Sequence, residues 1–128
     1  MIGYVTVGTN DLERAARFYD PIAAELGVGR MMDFDSFIAW GAMDGAPGIA
    51  ATKPFDGNEA SVGNGTMVAL QAKDRDQVRR LYDIALANGG SDEGAPGLRP
   101  HYHPNYYGAY VRDPDGNKLQ AVCHRAED

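Results

Sequence analysis

The sequence predicts an α+β fold: two βαβββ modules whose curved mixed sheets enclose a cleft. Three observations lead there. The chain nearly repeats itself after 63 residues, so that residues 4–27 fall on 67–90. Val5, Asp11, Arg17, Tyr19, Asp20, Ala24 and Gly27 meet the identical Val68, Asp74, Arg80, Tyr82, Asp83, Ala87 and Gly90. Self-similarity at a fixed spacing marks like structural units set side by side. Each copy also opens on strand-like alternation and then switches to helical spacing. After each helix come short apolar runs separated by turn residues, the pattern of a small sheet. The chain of 128 residues is expected to form one domain over residues 1–128, built from modules 1–56 and 65–125 joined by a loop. That length buries a core without disulfides or structural metals.

In chain order, residues 2–8 alternate, with Val5 and Val7 on one face and Tyr4 and Thr6 on the other. Asn10 is the expected N-cap of the first helix, with Glu13 as its capping-box partner. Leu12, Ala15, Ala16, Tyr19, Ile22, Ala23 and Leu26 form one apolar stripe. Pro21 predicts a kink, and Gly27 a left-handed stop. Residues 29–34, 37–42 and 48–53 read as strands, with Asp35-Ser36 and Asp44-Gly45 as turns. Residues 54–64 are rich in Gly, Asn, Asp and Ser and connect the modules. In the second module, 66–72 alternate again. Asp74 caps the next helix with Gln77 as partner, Val78, Leu81, Tyr82, Ala85 and Leu86 make its stripe, and Gly89-Gly90 end it. Pro96, Pro100 and Pro104 limit 91–105 to a loop with at most one edge strand. Residues 106–112 and 118–124 form a hairpin around Asp113-Pro114-Asp115-Gly116-Asn117, where Pro114 presets φ and Gly116 accepts φ > 0. Val5, Val7, Val68, Leu70, Leu119, Ala121 and Cys123 should lie under helices placed on the outer faces. Tyr4, Thr6, Met67, Ala69, Gln71, Lys118, Gln120 and Val122 should face the cleft.

Composition narrows the class. The net charge of −6 and the lack of a Lys/Arg run argue against a nucleic-acid partner. No positive n-region or long apolar stretch opens the chain, so neither a signal peptide nor a membrane association is expected. A lone cysteine, Cys123, excludes an intramolecular disulfide, and a reducing cytoplasm is the expected compartment.

These residues resemble a known family. Tyr4-Val5-Thr6-Val7, then Asn10-Asp11-Leu12-Glu13-Arg14-Ala15 with Phe18-Tyr19, and the closing Asp113-Pro114-Asp115-Gly116-Asn117 are similar to the vicinal oxygen chelate superfamily. That group contains glyoxalase I, bleomycin-resistance proteins, fosfomycin-resistance enzymes and extradiol dioxygenases. The resemblance covers essentially the whole chain. It implies a His or Gln metal ligand on the first strand of each module and a Glu on the last strand. Those positions fall on Tyr4, Met67 and Gln120, and residues 48–51 offer no polar side chain. A divalent ion in such a site wants imidazole nitrogen and carboxylate oxygen, so neither metal nor cofactor is expected.

Other side chains can still carry chemistry. His101 and His103 share a face of an extended segment and are candidates for acid–base work near neutral pH; a solvated loop is the plainer account. Tyr106, Tyr110 and Arg112 share a face of the last hairpin, where phenols and a guanidinium suit an anionic or aromatic ligand. The plainer account there is packing, with Arg112 paired to Asp113 or Asp115. The expected function is thus a degenerate-metal-site member of this family binding a small polar or aromatic molecule through Tyr4, Met67, Tyr106, Tyr110, Arg112 and Gln120. The alternative is an enzyme of the same superfamily, either metal-independent through His101 and His103 or using a non-standard metal site. A homodimer is expected.

Overall fold

The computed structural model describes residues 1–127. The first module contains β1 (Tyr4–Gly8), α1 (Leu12–Glu25), β2 (Gly29–Phe34), β3 (Phe37–Gly41) and β4 (Gly48–Thr52). The second contains β5 (Val68–Gln71), α2 (Arg75–Ala87), β6 (Ser91–Leu98), β7 (Tyr107–Arg112) and β8 (Lys118–Cys123). The sheets have matching orders, β1-β4-β3-β2 and β5-β8-β7-β6, and both remain open. β1 runs parallel to β4 and β5 to β8, while the other neighbours are antiparallel. The repeat therefore extends to topology. Among the described residues no helix is long and apolar enough to cross a membrane.

Both helices start at the aspartate that the repeat aligns. Asp11 and Asp74 accept from the backbone N–H of Arg14 and Gln77 at 3.0 and 2.8 Å. The cap of α1 is thus Asp11 and not Asn10, whose amide is engaged with Ala60 across the connector. α1 continues through Pro21 as far as Glu25. Gly27 and Gly89 take positive φ after the helices, at 79° and 97°. Gly90, the repeat partner of Gly27, has a different role. A Cβ there would stand 2.8 Å from both the Phe18 ring and the Ala85 carbonyl oxygen, so this glycine permits close approach of the two modules.

The expectation of helices on the outer faces is corrected. α1 and α2 pack against each other as well as on their own sheets. The buried side chains of both modules form a single core that includes Phe18, Tyr19, Trp40, Val78, Leu81 and Leu119. Polar contacts reinforce that seam: Gln77 Nε2 donates to the Glu25 carbonyl at 3.0 Å, and Arg80 Nε to the Glu25 carboxylate at 2.7 Å. Each sheet keeps its helix-free face, carrying Tyr4 in one module and Gln120 in the other, out of this shared core. The reason is the number of apolar positions. α1 buries Ala15, Ala16, Phe18, Tyr19, Ile22 and Ala23, more of its circumference than one sheet can cover.

A polar clasp locks the modules. Asp113, only 4% exposed, accepts Tyr19 Oη at 2.6 Å, Asn117 Nδ2 at 2.9 Å and the backbone N–H groups of Asp115 and Asn117 at 2.9 Å. Asn117 Nδ2 also donates to the Gly8 carbonyl, and Asp115 accepts from Thr9 Oγ1, the Asn10 N–H and Arg14. The tip of the β7–β8 hairpin is thereby sewn to the β1–α1 junction.

Burial first, and the adjacent Asp113 charge second, raise the Tyr19 phenol well above its ordinary value of 10.0. A raised folded-state pKa means the neutral phenol's contribution is complete below about pH 10 and is lost as pH climbs through the folded value. Tyr19→Phe is expected to cost about 1–3 kcal/mol at neutral pH by leaving Asp113 one donor short. It should also flatten the fall in stability above pH 10, as read from urea midpoints across an alkaline series.

Candidate functional site

The helix-free face of the second sheet is built on glycines. Tyr106, immediately before β7, and Gly108, Tyr110 and Arg112 share one side of that strand. Gly108 pairs with Val122, and Gly94 of β6 pairs with Tyr110. A Cβ on Gly108 would lie 3.0 Å from Gln120 Nε2, and one on Gly94 would lie 3.0 Å from the Tyr110 ring. Their absence lets the larger polar side chains lie down on the sheet.

Gln120 is the centre of that face and is 1% exposed. Its Nε2 donates to Tyr106 Oη at 2.8 Å and to Tyr110 Oη at 3.1 Å. An amide nitrogen has two hydrogens, so both are used. Tyr110 is flanked by two cations, with the Arg99 guanidinium 5.5 Å and the Lys118 ammonium 5.4 Å from its ring centroid. Burial, then the neighbouring Tyr106 and Tyr102, raise the Tyr110 pKa above its ordinary value of 10.0.

The loop before β7 supplies an aromatic wall. The rings of His101 and Tyr102 lie 4.2 Å apart, and those of Tyr102 and Tyr106 lie 4.8 Å apart. His103 Nδ1 accepts the Asn105 N–H at 3.1 Å, and its Nε2 lies 3.0 Å from His124 Nδ1. With Nδ1 accepting, neutral His103 carries its proton on Nε2 and donates it to His124. His124 is the partner that sequence reasoning missed. The signal was available in strand parity, since positions 118, 120, 122 and 124 fall on one face.

The remaining expected residues are dispersed. Arg112 is bound to Glu93 at 3.0 Å and to the Gly116 carbonyl at 3.0 Å, not to Asp113 or Asp115. Tyr4 lies on the first sheet, 58% exposed, with its ring edge-on to Phe37 at 6.3 Å. Met67, 40% exposed, lines an apolar groove of about 640 Å³ at the module seam with Val5, Trp40, Ile49 and Leu70. The structure thus brings together Tyr106, Tyr110, Gln120, Arg99 and Lys118, with His103 adjoining, while Tyr4 lies on β1 of the first sheet and Met67 just before β5 of the second. Arg99 had no sequence signal, because its place by the Tyr110 ring depends on how the end of β6 pairs with β7, where the Arg99 N–H donates to the Tyr106 carbonyl at 2.7 Å.

Comparisons with known proteins agree with this architecture. Residues 1–121 match the model of the Glyoxalase/Bleomycin resistance protein/Dioxygenase superfamily. The crystal structure of a glyoxalase/bleomycin resistance protein from Albidiferax ferrireducens T118 is 36% identical, with a TM-score of 0.88, covering 98% of this chain and 99% of that one. A glyoxalase-related enzyme from Fulvimarina pelagi is 24% identical, with a TM-score of 0.73 over 95% of this chain and 86% of that one. Lactoylglutathione lyase from Agrobacterium tumefaciens is 19% identical, with a TM-score of 0.68 over 95% and 92%. The last two likenesses are of fold alone. No curated protein matches the chain.

Gly108→Ala places a methyl group against the Gln120 amide and should shift it off the phenols, at a cost of about 1 kcal/mol. Urea denaturation and the Gln120 side-chain amide resonances measure the two effects. In the control Gly97→Ala, the new Cβ meets only the end of the Arg99 side chain, at 3.1 Å. That side chain can swing aside, and stability should change by less than about 0.5 kcal/mol.

Proposed function

The chain belongs to the Glyoxalase/Bleomycin resistance protein/Dioxygenase superfamily, and on that premise we propose that it is a metal-free member that binds a small polar or aromatic molecule on the helix-free face of its second sheet. The observation that carries this reading is the Gln120 network. At the position where family resemblance implies a carboxylate ligand stands a buried amide whose nitrogen is committed to Tyr106 and Tyr110. Divalent ions of the borderline class take imidazole, thiolate and carboxylate donors. The implied positions supply the phenol of Tyr4, the thioether of Met67 and an amide, and these do not fit the group. Among the described residues, no three His, Cys, Asp or Glu side chains are grouped to hold an ion elsewhere. A buried polar network beside aromatic walls is instead suited to orienting an uncharged or anionic organic ligand.

A second reading has its own support in the contact between His103 and His124. In it the protein is a metal-independent enzyme, with His103 exchanging a proton with a ligand held beside Tyr106, and His101 completing the rim. The ligand-binding reading is favoured because the imidazoles sit at the edge of the face and Gln120 at its centre.

We also propose a homodimer. Of the four sheet edges, β2 carries Arg30 and Asp33 with an irregular register, and β6 carries Asp92, Glu93 and Pro96 with two register shifts. Charges, prolines and bulges protect an edge from pairing. β1 and β5, with sequences YVTVG and VALQ, have no such protection. Tyr4 and Met67 are exposed beside them.

Three measurements test these readings. A thermal-shift screen of small metabolites should find compounds that stabilise the wild type and fail on Tyr106→Phe/Tyr110→Phe; a screen in which nothing stabilises the wild type refutes the binding reading. Protein from a metal-replete culture should carry far less than one equivalent of any transition metal by elemental analysis. Sedimentation should give a dimer, and Tyr4→Asp/Met67→Asp a monomer that keeps its helical circular dichroism.

A further inference from the structure

The second helix-free face is electrically unlike the rest of the protein. The chain carries a net charge of −6, yet Arg99 and Lys118 both stand over the Tyr110 ring. Among the described residues Arg99 donates only to backbone carbonyls, those of Ala95 and Leu98. Among the described residues neither cation is paired with a carboxylate. The carboxylate that approaches from β6, Glu93, is already bound to Arg112. Two half-buried cations beside one phenol ring, unpaired with any carboxylate among the described residues, make the potential of this face positive.

The hydroxyl protons add direction to that charge. Tyr106 Oη and Tyr110 Oη each accept one hydrogen from the Gln120 amide. A phenol cannot return a proton to the nitrogen that donates to it. The two hydroxyls can pass at most one proton between themselves, so at least one O–H of the pair is left to donate outward. Gln120 therefore acts as an orienting residue that turns a phenol proton towards the ligand. Beside the donors, the rings of Tyr102, Tyr106 and His103 form a wall, with Tyr106 and His103 at 5.3 Å.

We propose that this face recognises a planar aromatic carboxylate, with its ring against the Tyr102–Tyr106–His103 wall and its carboxylate taken by the outward phenol proton together with Arg99 and Lys118. Charge-assisted hydrogen bonds are about twice as strong as neutral ones, so the carboxylate supplies most of the discrimination and the ring supplies contact area. The inference rests on the reading of this face as a ligand site and deepens it by naming the ligand's charge and shape.

Benzoate and its neutral isostere benzamide are the probes, titrated into the 128-residue chain by calorimetry and followed on the Gln120 side-chain amide resonances. Benzoate is expected to bind at least about tenfold more tightly than benzamide and to weaken as salt rises. Arg99→Gln/Lys118→Gln should remove that preference while leaving the melting temperature within a few degrees, since both groups are half-exposed. Gln120→Glu should abolish benzoate binding, because a carboxylate there captures the phenol protons and repels the ligand. Equal binding of benzoate and benzamide overturns the inference and leaves the ligand-site reading standing. So does a benzoate preference that survives loss of both cations. If neither probe binds, the inference falls; the ligand-site reading falls with it only if the metabolite screen also finds nothing.

Discussion

The Asp113 carboxylate is the constraint on which the rest of the structure depends. It is buried at the tip of the second module's hairpin, yet its four donors include the phenol of Tyr19, from the middle of the other module's helix. A buried charge is tolerable only when its lone pairs are filled. Here they can be filled only if the hairpin tip, the start of β8 and the face of α1 stand in one arrangement. Asp115 repeats the logic beside it, collecting Thr9, Asn10 and Arg14. The five-residue turn therefore sets the angle at which the second sheet is held against the first helix, as well as closing a hairpin.

That angle decides which sheet faces stay outside the shared core. Because α1 packs on α2 and shares one core with it, the apolar face of each sheet is consumed internally. The opposite faces are free, and the two modules have diverged there. The first sheet presents Tyr4, Phe37 and Phe34, an aromatic surface with rings 6.3 and 6.5 Å apart. The second presents the Gln120 amide with its two phenols and two cations. The repeat has kept its scaffold residues, and the Gln120–phenol network belongs to the second copy.

The same divergence appears in the repeated tyrosines. Tyr19 and Tyr82 occupy equivalent helical positions, yet Tyr19 is buried against Asp113 whereas Tyr82 donates to the exposed Asp92 at 2.9 Å. Duplication supplied two like side chains; the neighbours that each helix met determined whether the hydroxyl became part of a clasp or of the surface.

Local signals in the sequence were sufficient for the elements. Period-two and period-3.6 patterns depend on neighbours a few residues away, and they located β1, α1, β5, α2 and the last hairpin, along with the left-handed Gly27 and Gly116. The repeat also contained the true cap of α1, since Asp11 aligns with Asp74. Strand parity placed Tyr106, Tyr110, Lys118 and Gln120 on one face. What the sequence could not decide depends on groups distant along the chain. Helix-to-helix packing, which reversed the expected outer placement of the helices, follows from how much apolar surface two separate modules can share. The pairing of His103 with His124, the approach of Arg99 to Tyr110 and the capture of Arg112 by Glu93 likewise join separate elements. Such contacts are selected by the closing of loops and by the filling of buried donors and acceptors. Only the tertiary structure, in which every such group meets its partner at once, determines them.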